Sequence, residues 1–406
     1  MSLLHKLSST SFLLEAWNQL KKENEESHGL SGLTIGEFQQ NLDNNIHNIR
    51  RFLQKRTYKF SSNRAAVIKK ENGKFRPLQI PEIRDRVVLK AIAILLEEKL
   101  KKLLIDSEEI SYAYQKGKGT IHAVLKMKSI YDEGKQVILK ADIIDFFEQV
   151  DKDSLLEQSI YPNLEDDSIN FLISDALNQE LGGLNRLKKE LKVYFKNAGK
   201  GIPQGNPLSP LLSNIYLADF DRFVKGKNYP MVRYADDFIV LFNSIEEASS
   251  GYHEISEYLQ GSLGLKIHEL EESASGKTTI INPSHENFSF LSIRFNGNKL
   301  LPPKNSIGYL KSKIAKEVKI GELNQDTFNA IYNIITKWIS LYYLLDISEL
   351  FATIDEYLLS CLRKKHGKID FKTTKCSELK KRYLKEKGKK NKAPFWKVFR
   401  SLKSPK

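Results

Sequence analysis

Two adjacent carboxylates set between apolar runs constrain this chain more than any other feature. Tyr234-Ala235-Asp236-Asp237 lies between Met231-Val232 and Phe238-Ile239-Val240-Leu241-Phe242. Two β-forming runs with a short polar break between them predict a hairpin that carries both acids at its tip. Neighbouring like charges repel and raise one pKa, so a site that keeps both ionised usually holds a divalent cation. An Asp-Asp pair on its own is more often a solvated turn. A second acidic strand upstream argues against that reading here.

That strand runs from Gln136 into Phe146-Phe147. Its period of two puts Ile138, Lys140 and Asp142 on one face and Val137, Leu139 and Ala141 on the other. Asp142 beside the hairpin completes a set of three carboxylates. Such a set suits two Mg²⁺ ions about 3.5–4 Å apart, which clamp the attacking and leaving oxygens of an in-line phosphoryl displacement. The chemistry indicated is nucleotidyl transfer.

Five segments in order carry a resemblance to a known family. They are Arg76-Pro77-Leu78-Gln79-Ile80-Pro81 with Asp85-Arg86-Val87-Val88; Ser111-Tyr112-Ala113-Tyr114-Gln115 with His122-Ala123; the Asp142 strand; Gly201-Ile202-Pro203-Gln204-Gly205-Asn206-Pro207-Leu208-Ser209-Pro210-Leu211-Leu212-Ser213-Asn214; and Tyr234-Ala235-Asp236-Asp237. Together they resemble the bacterial reverse transcriptases, most closely the group II intron-like branch. The resemblance implies an α+β right-hand polymerase, with fingers, a palm built on an antiparallel sheet, and a helical thumb. It also implies RNA-directed DNA synthesis from deoxynucleoside triphosphates and an acceptor 3′-hydroxyl, with two Mg²⁺ ions as cofactor. The compact form without an endonuclease is similar to reverse transcriptases of phage defence, which often work with a dedicated non-coding RNA. A group II intron splicing and mobility protein is the alternative, and a non-catalytic RNA-binding scaffold is an alternative of another class.

Residue by residue, the resemblance implies that Asp142 and Asp236 bridge the ions, with Asp237 less direct and the backbone carbonyl of Ile143 in reach. Phe147 matches the aromatic beneath the incoming sugar, where a bulky ring excludes a 2′-hydroxyl; the alternative is a core role shared with Phe146. Asp145 either caps the next turn or lies near the triphosphate. Gln204 is a candidate for contact with the nucleotide or template base. Lys277-Thr278 resembles the family's Lys-Thr pair but arrives late, after the inserted Glu269-Leu270-Glu271-Glu272-Ser273, and Phe290-Leu291-Ser292 stands where the family has Phe-Leu-Gly.

Other readings come from the residues directly. Ala65-Ala66-Val67-Ile68, Asn72-Gly73 and Phe75 predict a hairpin, because Asn-Gly favours its turn. Lys69, Lys74 and Arg76 on it are candidates to meet a triphosphate, Arg76 above all for its bidentate fork. Lys116 and Lys118, in a Gly-Lys loop that opens a helix near Ile121, are candidates for a phosphate of the template. Gly205 and Tyr234 join them as candidate nucleic-acid contacts. Helical spacing predicts helices through the first 60 residues, from Val87 to Leu104, from about Pro207 to Val224 and from Ile245 to Leu263, and Leu263-Gly264-Leu265-Lys266-Ile267 predicts a strand. Asn214 is expected to tie its helix to neighbouring backbone, and Trp338 and Tyr343 to be core residues.

With 406 residues, 41% of them hydrophobic, the chain can form two or three packed units. The expected divisions are N-terminal helices and fingers over 1–118, a palm over 119–297, a helical thumb over 298–370 and a basic tail over 371–406. Eighteen Lys or Arg face three acids between Cys361 and the end, more positive charge than the +14 of the whole chain, so the rest is near neutral. With Tyr383, Phe395, Trp396 and Phe399 interleaved, this segment suits phosphate contact and base stacking, Trp396 foremost. Two cysteines are too few for a disulfide framework, and no apolar stretch approaches the roughly 20 residues that span a bilayer. A cytoplasmic protein is expected, with RNA template, DNA product, and a non-coding RNA, partner protein or second copy of the chain as partners.

Overall fold

The computed structural model describes residues 1–20, 22–69, 73, 75–273, 276–286, 288–320 and 325–366. Lys74, Asn72, Trp396 and the basic tail lie outside the described residues. The chain divides into two compact units, Met1–Ile280 and Ile281–Lys406.

The first unit begins with α1 (Leu3–Leu7), α2 (Thr10–Gln19), α3 (Ile35–Gln40) and α4 (Leu42–Gln54). Ser9 caps α2, and Thr34 and Glu37 form a reciprocal capping box on α3, satisfying amides that would otherwise lack partners. The stripe of Phe38, Ile46, Ile49 and Leu53 is buried, with the chain turning at Asn41 between its first two members. These helices pack on α5 (Ile83–Lys99), which is buried nearly all round, as its run of Val87, Val88, Leu89, Ile92, Leu95 and Leu96 requires. Before α5, β1 (Asn63–Lys69) and β2 (Phe75–Ile80) pair antiparallel from Arg64 opposite Ile80 to Lys69 opposite Phe75.

After α6 (Thr120–Asp132), β3 (Val137–Asp142) enters the central sheet. Three short helices follow, α7 (Phe146–Gln149), α8 (Lys152–Ser154) and α9 (Asn170–Leu177), then β4 (Leu181–Gly182), which runs parallel to β1. The stretch expected as one helix from Pro207 to Val224 is two, α10 (Ser209–Tyr216) and α11 (Ala218–Gly226), which meet at Leu217. Asp219 and Asp221 in the first turn of α11 favour a new helix N-terminus there. Next come β5 (Met231–Tyr234), β6 (Asp237–Phe242) and α12 (Ile245–Leu263), and β7 (Thr279–Ile281) completes a sheet ordered β5-β6-β3-β7. Helix α12 packs on β3 and β6, and α6 on β5 and β6. The strand expected at Leu263–Ile267 is instead a helix end. Gly264, at φ 64°, takes the left-handed conformation that closes α12, and only Ile267 bridges to the sheet, opposite Ile143.

The second unit holds a meander of β8 (Phe288–Phe290), β9 (Ile293–Phe295) and β10 (Leu300–Leu301), followed by α13 (Lys304–Ile320), α14 (Gln325–Tyr342) and α15 (Leu350–His366). Both α14 and α15 pack on α13. Trp338 is buried, whereas Tyr343 is exposed. No described helix is long and apolar enough to cross a membrane.

Leu291 and Ser292, at φ 51° and 67°, form the two-residue turn between β8 and β9, a conformation that costs a residue with a Cβ about 1–2 kcal/mol. Ser292→Gly removes that strain and gives back roughly 0.5–1 kcal/mol in unfolded-chain entropy. The expected net result is a gain of about 0.5–1 kcal/mol, read as a higher thermal midpoint, and a fall in midpoint overturns it.

Candidate active site

Register brings the acids together. Asp142, the last residue of β3, pairs directly with Asp237, the first of β6. Tyr234 of β5 also pairs with Asp237, so Ala235-Asp236 is a two-residue turn, with Asp236 at the tip and Asp237 already in the strand. Ala235 has φ 60° and is buried, in a position where hairpins favour glycine.

What holds Ala235 there is Arg233, a fully buried guanidinium that the sequence reading passed over. Its Nη1 donates to the Ala235 carbonyl at 3.1 Å, and its Nε and Nη2 donate to the two oxygens of buried Asp221 at 2.8 and 2.5 Å. Asn214 accepts from Arg233 Nη1 at 3.3 Å and from the Ser111 hydroxyl at 3.2 Å, and donates to the Ala113 carbonyl at 3.1 Å. The expected backbone tie is therefore what Asn214 makes. The Arg233 amide donates to the Ile110 carbonyl at 2.8 Å, and its carbonyl accepts from Tyr112 at 2.9 Å. One buried network thus joins three of the five sequence segments.

Burial raises the pKa values of Asp236 and Asp237, and the nearby charge of Asp142 raises both further. Asp236 adds to the effect on Asp237, which reaches about 6. The ammonium of Lys277 forms an ion pair with Asp142. Burial opposes that charge, but the hydrogen bond and charge of Asp142 prevail and raise the Lys277 pKa. Among the described residues no three His, Cys, Asp or Glu side chains are already grouped to hold a metal ion. The donor chemistry nevertheless suits one. Three hard oxygen donors lie together, the pKa values of Asp236 and Asp237 are held up, and a cation, Lys277, lies against Asp142 as a stand-in for positive charge.

The remaining candidates surround this centre. Ile143 is buried directly after Asp142, bridged to Ile267. Asp145 has φ 39° and precedes α7, capping it by position but without a side-chain hydrogen bond. Phe147 is half-buried, set edge-on to Phe146 at 5.6 Å, and lines a cleft with Pro77, Gln79, Ile202 and Gln204. Arg76 is exposed on β2, and its charge works to lower the pKa of Asp236, so it faces the acids. Tyr114, which the sequence does not single out as a site residue, is close enough for Asp236, after burial, to raise its phenol pKa. The sequence signal for it was its place in the Ser111–Gln115 segment.

Two glycines let backbone approach backbone. A Cβ at Gly201, φ 60°, would fall 1.9 Å from the Phe147 carbonyl, and one at Gly205, φ 103°, would fall 2.9 Å from that of Gln79. The approach Gly205 permits is therefore to the chain's own β2. Lys118 is turned inward, donating to the carbonyls of Glu108 and Ser111 and lying over the Tyr112 ring, while Lys116 is exposed and Tyr234 half-buried.

Two outcomes follow for stability. Arg233→Ala leaves the Asp221 carboxylate buried without its cation, which is expected to cost about 3–5 kcal/mol, read as a large fall in denaturation midpoint. A loss under about 1 kcal/mol overturns the role given to the pair. Asp237 titrates near 6 in the folded chain against about 3.9 unfolded, so its protonation supports the fold fully below about pH 4, and that support is lost as pH rises through 6. Asp237→Asn is therefore expected to stabilise the protein in chelator at pH 8, by on the order of 1–2 kcal/mol after discounting for partial exposure. The gain should vanish by pH 4, and a pH-independent difference contradicts it.

The family described as reverse transcriptase (RNA-dependent DNA polymerase) matches residues 68–295. Protein YkfC of Escherichia coli (strain K12) is 27% identical over 354 residues, 76% of this chain and 85% of YkfC. The group II intron-encoded protein LtrA of Lactococcus lactis subsp. cremoris is 30% identical over 167 residues, 40% of this chain but only 25% of LtrA. A partial Cas6-RT-Cas1–Cas2 complex is 24% identical with a TM-score of 0.38, over 64% of this chain and 43% of that one. With more than half of its length matching the family, the chain belongs to the reverse transcriptases.

Proposed function

We propose that this protein extends a 3′-hydroxyl with deoxynucleotides on an RNA template, using Asp142, Asp236 and Asp237 to hold two Mg²⁺ ions. The pairing of Asp142 with Asp237 beside the Asp236 turn carries this reading. Bound there, the ions supply Lewis-acid stabilisation to the attacking and leaving oxygens. Asp142 and Asp236 would hold them most directly, with Asp237 the less direct ligand and the Ile143 backbone carbonyl in reach. For that, the Lys277 ammonium leaves Asp142 and becomes free to meet phosphate oxygens. Arg76, with Lys74, takes the triphosphate of the nucleotide, whose charge suits an exposed guanidinium facing the acids. Asp145, the residue before α7, is assigned to the same nucleotide. Phe147 sits beneath the sugar, and Gln204 across the cleft meets the base or template. The lodging of all three acids in one fold argues against a scaffold without activity.

The finer biological reading is antiphage defence, with a dedicated non-coding RNA as template. Likeness to LtrA over 167 residues favours a second reading, a group II intron-encoded protein. Sequencing the RNA and DNA that copurify with the protein separates the two, since one predicts a single small RNA and its copy and the other intron RNA.

Asp142→Ala and Asp236→Asn are each expected to lower primer extension on an RNA template by at least about 10²–10³-fold while RNA binding persists. Near-normal extension by either sinks the proposed site. Phe147→Val is expected to admit ribonucleotides with a smaller effect on deoxynucleotide use. An unchanged preference places the sugar gate elsewhere.

A further inference from the structure

Between β4 and the Gly201–Gly205 loop lies a segment that none of the readings above uses. Residues 184–200 contain Arg186, Lys188, Lys189, Lys192, Lys196 and Lys200 against one acid, Glu190, in a chain whose charge outside the tail is near neutral. All six cations are exposed. Some lysines elsewhere in this unit do find acids, as Lys6 does Glu98, Lys128 Asp132, Lys225 Asp106 and Lys227 Glu254. Among the described residues the six here form no ion pair.

The segment is nonetheless held firmly in place. Lys189–Phe195 is a 3₁₀ helix that buries Phe195 and leaves Lys189 and Lys192 exposed. Tyr194, 37% exposed, packs its ring on Phe75 of β2 at 5.7 Å. Gln79 donates to the Ala198 carbonyl at 2.9 Å, Lys152 to that of Gly199 at 3.0 Å, and Asn197 to Glu148 at 2.9 Å. Tyr194 and Phe195 form one wall of the cleft that also holds Phe147 and Gln204. A pinned row of unpaired cations with an exposed ring, bordering the nucleotide cleft, fits a single-stranded polyanion with stackable bases.

We propose that residues 186–196 bind the single-stranded template RNA just ahead of the catalytic carboxylates, with the lysines on phosphates and Tyr194 against a base. The proposal rests on the polymerase reading above. The test combines Lys188→Gln, Lys189→Gln, Lys192→Gln and Lys196→Gln in the full chain. All four side chains are exposed and unpaired, so the thermal midpoint should hold. Affinity is measured without nucleotide, by fluorescence anisotropy, for RNA–DNA primer–templates that are blunt or carry a long 5′ template overhang. The wild type should bind the overhang duplex more tightly. The variant should lose that advantage, by about tenfold at low salt, and the slope of log affinity against log salt should become shallower by about 0.7 for each phosphate contact removed. Blunt-duplex affinity and the KM for deoxynucleotide should change little. A raised nucleotide KM with overhang preference intact would assign the cations to the triphosphate and overturn the proposal. Unchanged affinity and salt slope would show a solvated face and overturn it equally. Failure of the wild type to extend a primer would defeat the polymerase reading alone, because the overhang measurement needs no catalysis.

Discussion

The buried ion pair of Arg233 and Asp221 is the interaction on which the catalytic hairpin depends. Both side chains are removed from solvent, so their mutual attraction must offset the loss of two hydration shells, and a pair of this kind adds little net stability. Its consequence is geometric. A guanidinium has five donors in a rigid fork, and here they reach Asp221 on α11, Asn214 on α10 and the carbonyl of Ala235 in the turn. A residue with a Cβ is thereby kept at φ 60° in a two-residue turn, which sets Asp236 at the tip and brings Asp237 into register with Asp142. The split of the expected Pro207–Val224 helix has the same purpose. Asn214 and Asp221 face one guanidinium from two short helices that meet at Leu217.

That frame supports a centre that is unfavourable by itself. Asp142, Asp236 and Asp237 lie together, largely out of water; burial and the charge of Asp142 make ionisation of Asp236 and Asp237 harder, and Asp236 adds to the effect on Asp237. Lys277 relieves part of the repulsion through Asp142. Lys140, on the strand face of Asp142, is itself pushed down by burial, with the charge of Asp237 pulling the other way. The arrangement concentrates negative charge where a catalyst must hold cations, and the surrounding core carries the cost.

How much of this was legible follows from the range of the interactions. The Asp142 strand, the acidic hairpin and the Asn72-Gly73 hairpin are local patterns of period two with turn residues; each strand is found where the pattern puts it, except that the first, expected to run into Phe146-Phe147, stops at Asp142 and gives way to α7 at Phe146. The capped end of α12 was misread because Leu263-Gly264-Leu265-Lys266-Ile267 alternates like a strand; the glycine decides for a left-handed helix stop. Arg233 carries no periodic signal, because its partner lies on another element, twelve positions earlier, and no spacing pattern reports such a pair. The signal available was an arginine flanked by Val232 and Tyr234 in a strand otherwise apolar, since a charge there needs a buried counter-charge. The 3₁₀ stretch at Lys189–Phe195 has a period of three, which spacing arguments for helix and strand both miss.

The nucleotide cleft is set by backbone as much as by side chains. Gln79 of β2 donates its amide to the Gln204 carbonyl at 2.8 Å, and the Ile202 amide donates to the Phe147 carbonyl at 2.8 Å. The loop from Gly201 to Gly205 is thus stitched to the β1–β2 hairpin at one end and to α7 at the other, and its two glycines are what allow both seams to close. Arg76 on β2, Gln204 in the loop and Phe147 on α7 are therefore positioned by one continuous set of main-chain bonds. A shift of the β1–β2 hairpin toward the acids carries Gln204 with it, and strains the Gly201 contact that fixes Phe147. In the function proposed above, triphosphate, base and sugar contacts would in this way be coupled, with selection at the sugar depending on where the hairpin stands.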